Sequence, residues 1–299
     1  MYQSLKKYSD DFHLYIFSFD DKSYELIKML NLNHVTVISL KEFEDEALLE
    51  VKSSRTPGEY CWTCTPSVIK YCIDTYDLDH CTYLDADIYF FNNPSILIDE
   101  IGNDSVLITE HRYTPQYDQS LKCGIYCVQF ITFKNDKNGM KVLNWWRNAC
   151  IDWCYARFED GKFGDQKYLD DWIYKFDGIH VLKNRGGGVA PWNIQQYDLV
   201  SDKNITLIFY HFHNYKFLEG NLIELGDYIL SEKDINILYK PYTKHLDKIS
   251  KNIESIDSDN NYNGIVAYDR FNWKNMFRMI KRLIKGNYNI FNKDKFLEA

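Results

Sequence analysis

The chain has 299 residues, 45% hydrophobic and 26% charged, a globular composition that excludes collagen-like, low-complexity and largely disordered proteins. Its formal net charge of −8 argues against general nucleic-acid binding. The longest uncharged stretches, such as the 12 residues from Asn204 to Tyr215, are shorter than the roughly 20 apolar residues of a membrane-spanning helix. The N-terminal segment lacks the apolar core of a secretory signal, so we expect a cytoplasmic protein.

A strand, a helix and a second strand follow one another at the start of the chain. The apolar run His13–Phe19 predicts a buried strand, Ser23–Leu30 has helical spacing, and His34–Leu40 is rich in β-branched residues. This order is a β-α-β unit, in which the two strands run parallel. The sequence therefore predicts an α/β fold.

The rest of the chain alternates between predicted helices and strands and contains no internal repeat. We predict helices over 64–76 and 139–158, and strands over 81–84, 88–91, 105–109, 124–133 and 205–212. The polar segment 250–264 is typical of a connecting loop. We therefore expect one large domain over residues 1–250, followed by a linker and a helix within residues 251–299.

Two aspartates, Asp85 and Asp87, follow an apolar strand directly in the segment YLDADIY. Because aspartate is disfavoured inside strands, two of them at the end of a hydrophobic run must face something polar. A hard divalent cation accepts carboxylate oxygens and keeps positions open for substrate phosphates. We favour a metal–diphosphate site here; the alternative is a pair of aspartates that cap a turn.

Two further segments carry polar side chains at the ends of predicted strands. His211 and His213 share one face of the strand that begins at residue 205, and imidazole is a good ligand for metals such as Mn²⁺. The two imidazoles could converge on one ion, or His213 could only pack or hydrogen-bond nearby. Asp21 and Tyr24 follow the first strand, at the edge where open α/β sheets bind ligands. They could contact a nucleobase or simply form a polar turn.

Five segments, in this order, resemble those of bacterial nucleotide-sugar glycosyltransferases of the GT-A fold, the group that includes glycogenin-like and lipopolysaccharide galactosyltransferases. The segments are FDDKSY at 19–24, YLDADIYFF at 83–91, GIYCVQF at 124–130, GDQKYLDDW at 164–172 and HFHNYK at 211–216. With the first strand they span residues 13–216. The resemblance implies a Rossmann-like mixed sheet flanked by helices, with a C-terminal helical extension.

The resemblance also implies a divalent metal, Mn²⁺ or Mg²⁺, that holds the diphosphate of a nucleotide-sugar donor, with a UDP-linked sugar favoured. In this group the D-x-D aspartates and a later histidine bind the metal, which implies metal ligation by Asp85, Asp87 and His211. Asp85 would also contact the ribose. The nucleobase contacts would come from Phe19, Asp21 and Tyr24.

For the transferred sugar, the resemblance places Asp165 and Gln166 as the catalytic residues. Gln166 would lie close to the anomeric carbon, and Asp165 would bind sugar hydroxyls; the alternative for Asp165 is a helix cap. Lys216 would hold the phosphate. The usual pattern there is His-Phe-x-Gly-x-x-Lys, whereas Asn214 stands at the glycine and Lys216 comes one residue early.

A second departure concerns the donor sugar. Related sequences carry Asn-x-Gly where this chain has Cys127-Val128-Gln129, and the asparagine contacts the sugar. The resemblance favours retention of configuration, and no nucleophile can be assigned. An inverting enzyme would need a carboxylate base, for which the 165–171 segment offers three aspartates: Asp165, Asp170 and Asp171.

The function that this resemblance implies is hexosyl transfer to a glycan or lipid-linked acceptor in bacterial surface polysaccharide synthesis. The loss of the asparagine leaves a second hypothesis open, an inactive relative that binds a nucleotide or glycan. A third, a sugar nucleotidyltransferase, ranks last because those enzymes carry a Gly-rich, basic signature near the first strand and the FDDKSY turn has no glycine.

Two further features remain outside the resemblance. Three glycines precede Pro-Trp at residues 186–192; we interpret them as a loop that shapes the donor or acceptor pocket, with a plain surface loop as the alternative. The eight cysteines are interpreted as free thiols that pack like small hydrophobic residues. A zinc site at Cys61-x-x-Cys64 is disfavoured because no second C-x-x-C follows.

The C-terminal region has an unusual charge. From Arg270 to Ala299 there are eight basic and two acidic residues, a net charge of +6, which leaves −14 for the rest. Within it, the apolar residues Trp273, Phe277, Ile280 and Ile284 recur on one helical face. A basic, aromatic amphipathic helix suits the interface of an anionic membrane, so we expect peripheral membrane contact. The alternative is that the apolar face docks on the rest of the protein.

Overall fold

The computed structural model describes residues 1–257, 264–268 and 272–298, without the side chain of Lys274. The chain forms two compact units. The first comprises Met1–Gly188 with Lys203–Phe209, and the second comprises Val189–Asp202 with Tyr210–Ala299. The predicted domain boundary near residue 250 stays a prediction. The predicted connecting loop over 250–264 is wrong for residues 250–256, which belong to the helix Lys240–Ile256, and its residues 258–263 lie outside the described ranges.

The first unit alternates helices and strands. Its helices are α1 (Tyr2–Tyr8), α2 (Asp21–Met29), α3 (Leu40–Phe43), α4 (Glu46–Lys52), α5 (Pro57–Tyr76), α6 (Ser95–Asp99), α7 (Ser120–Cys123), α8 (Lys137–Asp152) and α9 (Trp172–Lys175). Short 3₁₀ helices form at Pro115–Tyr117 and Gln166–Asp171. Its strands are β1 (Leu14–Ser18), β2 (Val35–Ser39), β3 (His80–Leu84), β4 (Ile88–Phe90), β5 (Val106–Glu110), β6 (Tyr126–Lys134) and β7 (Ile179–Val181).

The predicted β-α-β unit is present at the start of the chain. Strands β1 and β2 pair in parallel, with α2 between them in sequence. Asp20 caps α2, because its carboxylate accepts hydrogen bonds from the backbone N–H (2.7 Å) and the hydroxyl (2.6 Å) of Ser23. The polar turn after β1 is thus also the start of a helix.

A mixed sheet in the order β3-β6-β5-β7 forms the centre of the first unit. Strand β6 pairs antiparallel with β3 and β5, and β5 pairs in parallel with β7. Buried side chains of α5 and α8, including Ile69 and Trp146, pack with those of β6 in one hydrophobic cluster. The predicted fold class, a mixed sheet flanked by helices, is confirmed.

Helix α5 is longer than predicted, since it begins at Pro57 rather than Cys64. Thr56 and Glu59 form a capping box, in which each side chain bonds the backbone N–H of the other. Pro57 occupies the first turn, where no backbone donor is needed. Because of this early start, Pro66 lies inside the helix rather than in the first turn, where a helix that began at Cys64 would place it.

Strand β8 (Phe209–His211) pairs with β4. The remaining elements are β9 (Lys216–Leu218), β10 (Leu222–Glu224), α10 (Glu232–Asp234), a π-helical turn at Ile235–Tyr239, α11 (Lys240–Ile256), α12 (Trp273–Lys285), β11 (Ile290–Asn292), α13 (Lys293–Glu298) and a 3₁₀ turn at Ile194–Gln196. Strands β9, β10 and β11 form an antiparallel sheet in the order β11-β10-β9.

An aromatic cluster forms the interior of the second unit. The ring of Phe212 stacks on Tyr242 at 3.7 Å between centroids, and the hydroxyls of Tyr210 and Tyr239 hydrogen-bond at 3.0 Å. Both hydroxyls are therefore satisfied although their side chains are buried.

The predicted C-terminal helical extension is present as α12 and α13. Over the parts of the chain that the structure describes, no helix has the length and apolar character needed to cross a membrane.

The strand predicted over 205–212 is shorter in the structure, which assigns β8 to Phe209–His211 alone. The preceding backbone bonds in another way: the Ile208 N–H donates to the Gly186 carbonyl at 2.9 Å, and the Ile208 carbonyl accepts from Phe91 at 2.8 Å. His211 nevertheless stays at the end of a strand, as its position in the sequence predicted.

Candidate metal and donor site

The D-x-D segment forms a turn that joins two strands. Strand β3 ends at Leu84, opposite Phe130 of β6. The Asp85 N–H donates to the Gln129 carbonyl at 3.1 Å, and the Ile88 N–H closes the turn by donating to the Asp85 carbonyl at 3.3 Å. Strand β4 starts at Ile88. Backbone hydrogen bonds therefore fix where both aspartates lie.

Tyr83 fixes one carboxylate oxygen of this turn. Its hydroxyl donates to Asp85 Oδ1 at 3.0 Å. The loss of water around the hydroxyl and the nearby carboxylates of Asp85 and Asp165 raise the pKa of Tyr83 well above its ordinary value. The hydroxyl therefore stays protonated and acts as a donor.

Asp85, Asp87 and His211 come together in what we call the carboxylate–histidine group. One ligand atom from each of the three side chains lies within 4.8 Å of the other two. His211 is buried and the two aspartates are half-buried; the His211 backbone N–H donates to the Val189 carbonyl at 3.0 Å. Two carboxylates and one imidazole form a donor set that fits a divalent cation such as Mn²⁺ or Mg²⁺.

His213 is half-buried among aromatic rings. Its ring centroid lies 5.4 Å from that of Trp192 and 6.3 Å from that of Tyr228. Among the described residues, the metal-competent group contains His211 and not His213. Trp192 also meets His211 edge-on at 5.3 Å, so that its indole lies against both imidazoles.

Asp165 is a buried carboxylate, only 5% exposed, at the start of the 3₁₀ helix Gln166–Asp171. Burial raises its pKa to about 7; the charge of Asp85 adds to this effect, and a hydrogen bond with the Thr65 side chain opposes it. Its backbone carbonyl accepts from the Trp146 indole at 2.9 Å. The Asp165 side chain makes no helix-capping hydrogen bond, so the alternative role of a helix cap is wrong.

The rest of the DQKYLD segment holds the start of β6. The Gln166 side chain donates to the Cys123 carbonyl at 2.8 Å. Asp170 accepts from the Ile125 N–H at 2.7 Å and forms an ion pair with Lys167 at 2.7 Å. Gln166 and Asp170 are thereby attached to the backbone that enters β6. The catalytic role of Gln166 stays a prediction.

The residues assigned to the nucleobase surround the start of α2. Phe19 is half-buried and lies edge-on to Tyr60 at 6.3 Å. Asp21 is exposed, 3.8 Å from Lys41, and the half-buried Tyr24 accepts a hydrogen bond from Lys28 at 2.8 Å. Their contacts with a donor base stay predictions.

Lys216 is the exposed first residue of β9, opposite Glu224 of β10. It lines a cleft together with Arg278 and Met279 of α12. Its phosphate contact likewise stays a prediction.

The triple-glycine segment is buried throughout, so the alternative of a plain surface loop is wrong. A Cβ atom at Gly186 would lie 1.8 Å from the Thr206 carbonyl oxygen, and one at Gly188 would lie 2.7 Å from Thr109. Gly188 also has a positive φ of 78°, which favours glycine. The glycines therefore permit close packing, and the segment continues directly to Trp192 beside His211.

The structure identifies residues at the site that the sequence interpretation missed. Thr65 of α5 lies beside Asp165 and opposes the rise of its pKa, and Gln129 is fully buried next to the Asp85 turn. The sequence could have indicated Gln129 as a site residue, since it belongs to the stretch that departs from Asn-x-Gly. Thr65 had no such signal, because a threonine inside a helix is unremarkable.

The cysteines take no part in this site. All eight are free thiols, and the metal-competent group that the described residues form contains none of them. Cys127, at the position where the resemblance places an asparagine, is buried in β6. It contributes packing rather than an amide.

The fold and the site define an α/β protein with a carboxylate–histidine group suited to a divalent cation. No family model matches the sequence. The chain is 33% identical to the uncharacterized protein YfnD of Bacillus subtilis (strain 168) over 274 residues. This aligned region covers 87% of each chain. The chain therefore belongs to the same family as YfnD. The uncharacterized protein YfnF of the same strain is 26% identical over 284 residues, 90% of this chain and 93% of YfnF.

Solved structures with similar features include three glycosyltransferases. Mouse xyloside xylosyltransferase 1, in its apo form, aligns with a TM-score of 0.44 and 13% identity over 70% of this chain and 89% of its own. The glycosyltransferase GlyE of Streptococcus pneumoniae TIGR4 aligns with a TM-score of 0.44 and 14% identity, over 70% of this chain and 49% of GlyE. A glycosyltransferase involved in glycosylation of the PBCV-1 major capsid aligns with a TM-score of 0.42 and 11% identity, over 68% of this chain and 93% of its own.

Proposed function

We propose that this protein is a metal-dependent glycosyltransferase that moves a sugar from a nucleotide-diphosphate sugar, with UDP-sugars favoured, to an acceptor hydroxyl. The observation that carries the proposal is the carboxylate–histidine group: ligand atoms of Asp85, Asp87 and His211 lie within 4.8 Å of one another at the ends of strands. Such a group binds one divalent cation and leaves open positions that phosphate oxygens can fill.

Each residue of the group has a defined part in holding the metal. Asp87 and His211 would ligate it directly, while Asp85, oriented by the Tyr83 hydroxyl, would contact both the metal and the donor ribose. When bound, the cation neutralises the charge that develops on the departing diphosphate. Lys216 would add a positive charge to the phosphates, and Phe19, Asp21 and Tyr24 would surround the base.

Asp165 is suited to the transferred sugar. A carboxylate that is buried and lacks water around it is costly unless a polar partner replaces the water, and sugar hydroxyls are such partners. Thr65 and Trp146 hold this residue in place. Gln166, the next residue, would lie by the anomeric carbon. We favour retention of configuration on the resemblance alone and assign no nucleophile.

For the acceptor we propose a glycan or a lipid-linked glycan of a bacterial surface polysaccharide, glycosylated on the cytoplasmic side of the membrane. The resemblance to bacterial nucleotide-sugar glycosyltransferases supports this choice. The donor sugar is left open, because Cys127 replaces the asparagine that would contact it.

The test is incubation of the protein with a panel of UDP- and GDP-sugars and Mn²⁺, with released nucleotide as the readout and EDTA as the control. We expect release from at least one donor that EDTA abolishes. Calorimetric binding of UDP without any release would instead support an inactive nucleotide-binding relative, which the buried Cys127 favours. Release of pyrophosphate from UTP and a sugar phosphate would indicate a nucleotidyltransferase.

A further inference from the structure

Helix α12 (Trp273–Lys285) exposes its apolar face. Phe277 is 69% exposed and Ile284 is 82% exposed. The exposed apolar side chains of the helix are Trp273, Met276, Phe277, Ile280, Leu283 and Ile284. A soluble amphipathic helix normally turns such a face toward the core, so the sequence alone left docking on the protein as the alternative. In the structure the side chains of this face are exposed instead.

The opposite side of α12 is the one attached to the protein. Arg282 is only 6% exposed; its guanidinium forms an ion pair with Glu224 of β10 and donates to the Gly226 carbonyl at 2.7 Å. At 100° per residue, Arg282 lies about 180° around the helix from Trp273. Asn275 and Met279, on the same side as Arg282, are half-buried.

This attachment determines the rotation of α12 about its axis. A buried guanidinium that loses its carboxylate and carbonyl partners is costly, so the helix cannot roll to bury its apolar face without breaking these bonds. The chain that follows Arg282 is also held in place, since the Arg282 Nε donates to the Asn287 carbonyl at 3.3 Å and β11, which comes next, pairs with β10. The apolar face is therefore presented outward by the fold.

Basic side chains line one flank of that face. Arg278, Lys281 and Lys285 are exposed, and the sequence has no acidic residue between Arg270 and Asn289. Lysine and arginine at the edge of an apolar helical face can extend toward lipid phosphates while their methylene stems stay in the apolar layer. The charge of the flank is thus complementary to an anionic lipid surface and not to neutral apolar partners.

We propose that the outward face of α12 inserts into the interface of an anionic lipid bilayer and holds the protein on the membrane surface. The helix would lie in the plane of the interface, with its aromatic and aliphatic side chains among the acyl chains and its basic flank at the headgroups. Arg282 would transmit this attachment to the sheet β11-β10-β9. This inference is independent of the proposed transferase activity.

The test is sedimentation of the full-length protein with vesicles of phosphatidylcholine alone and with added phosphatidylglycerol, at low and high salt. We expect binding to the anionic vesicles at low salt and its loss at high salt. Phe277→Ser/Ile284→Ser should weaken vesicle binding at least about tenfold, and Lys281→Glu/Lys285→Glu about tenfold or more. All four positions are exposed, so that both variants should fold.

Matched controls alter exposed residues of the same kinds elsewhere. Leu121→Ser/Tyr174→Ser removes apolar side chains that are 89% and 86% exposed, and Lys203→Glu/Lys244→Glu reverses two exposed charges. We expect neither control to reduce vesicle binding. The proposal is overturned by a protein that does not sediment at low salt, by α12 variants that bind as well as the wild type, or by controls that lose as much. Self-association without vesicles that Phe277→Ser/Ile284→Ser abolishes would assign the face to a second copy instead.

Discussion

The carboxylate–histidine group and helix α12 depart from the usual distribution of side chains in opposite directions. Near the group, the Asp165 carboxylate is buried and burial raises its pKa to about 7. On α12, Phe277 and Ile284 are exposed while Arg282 is buried. Folded proteins seldom bury a carboxylate fully or expose a continuous apolar face. Each region is therefore incomplete by itself.

The two regions differ in what would complete them. A buried carboxylate lacks water, so polar or cationic ligands relieve its cost; an exposed apolar face carries ordered water, so apolar surroundings relieve its cost. The first region thus suits a small polar ligand, which under the proposed function is a metal-bound sugar nucleotide. The second indicates an extended apolar phase with a negatively charged edge.

The largest expected effect tests whether the carboxylate–histidine group needs its aspartates for metal-dependent release of nucleotide. We expect Asp87→Ala to lower metal-dependent release of nucleotide by about 100- to 1,000-fold, because the variant loses a direct ligand. Steady-state release with Mn²⁺ measures this. Asp10→Ala, which removes an exposed aspartate elsewhere, is the control. A wild-type rate in a folded Asp87→Ala protein would refute the assignment.

A second test asks whether the Asp165 carboxylate is costly in the absence of ligand. Since its pKa is raised from 3.8 to about 7 by folding, the native state binds more protons than the unfolded state between these values. The wild-type free energy of unfolding should therefore fall as pH rises through this window, by about 1.4 kcal/mol per pH unit. Asp165→Asn should lack this fall.

Urea unfolding in EDTA at pH 5 and pH 7 measures the difference. We expect Asp165→Asn to gain about 2–3 kcal/mol relative to the wild type between the two values. An identical pH dependence of the two proteins would show that the carboxylate is not desolvated.

A third test sharpens the choice of ligands within the first region. We expect His211→Ala to weaken Mn²⁺ binding about 10- to 100-fold in the presence of UDP, and His213→Ala to weaken it by less. The reason is that His211 belongs to the metal-competent group, whereas His213 packs against Trp192 and Tyr228. Calorimetric titration measures both affinities. The reverse order would exclude His211 as the ligand.

The smallest effect should come from the second region. We expect Phe277→Ala to change the free energy of unfolding by no more than about 0.5 kcal/mol, because the side chain is exposed in the folded protein. The fully buried Phe133 should cost about 3 kcal/mol or more when replaced by alanine. Urea denaturation without lipid compares the two. A large loss for Phe277→Ala would mean that its face is covered.

Local sequence patterns predicted much of the fold and the centre of the site. The β-α-β unit, the strand before Asp85 and the periodicity of α12 each depend on neighbouring residues, and all three are present. The early start of α5 also had a local signal, the Thr56–Glu59 capping box.

Other features depended on residues far apart in the chain. Asp165 is a buried carboxylate because Thr65 and Trp146 lie beside it, and nothing in the DQKYLD segment indicates this. The sequence predicts that the triple glycine is a loop that shapes the donor or acceptor pocket, but only the tertiary structure brings Thr109 and Thr206 so close that the segment needs glycines for packing.

Helix α12 shows most simply which features the sequence determines and which depend on the tertiary structure. Its periodicity determined that it would have an apolar face and a basic flank, because both follow from the spacing of residues along one helix. Which face would meet the protein was decided by Arg282, through bonds to Glu224 and Gly226 more than fifty residues earlier. A sequence specifies local periodicity directly, but the rotation of a helix depends on long-range partners that only the tertiary structure brings into contact.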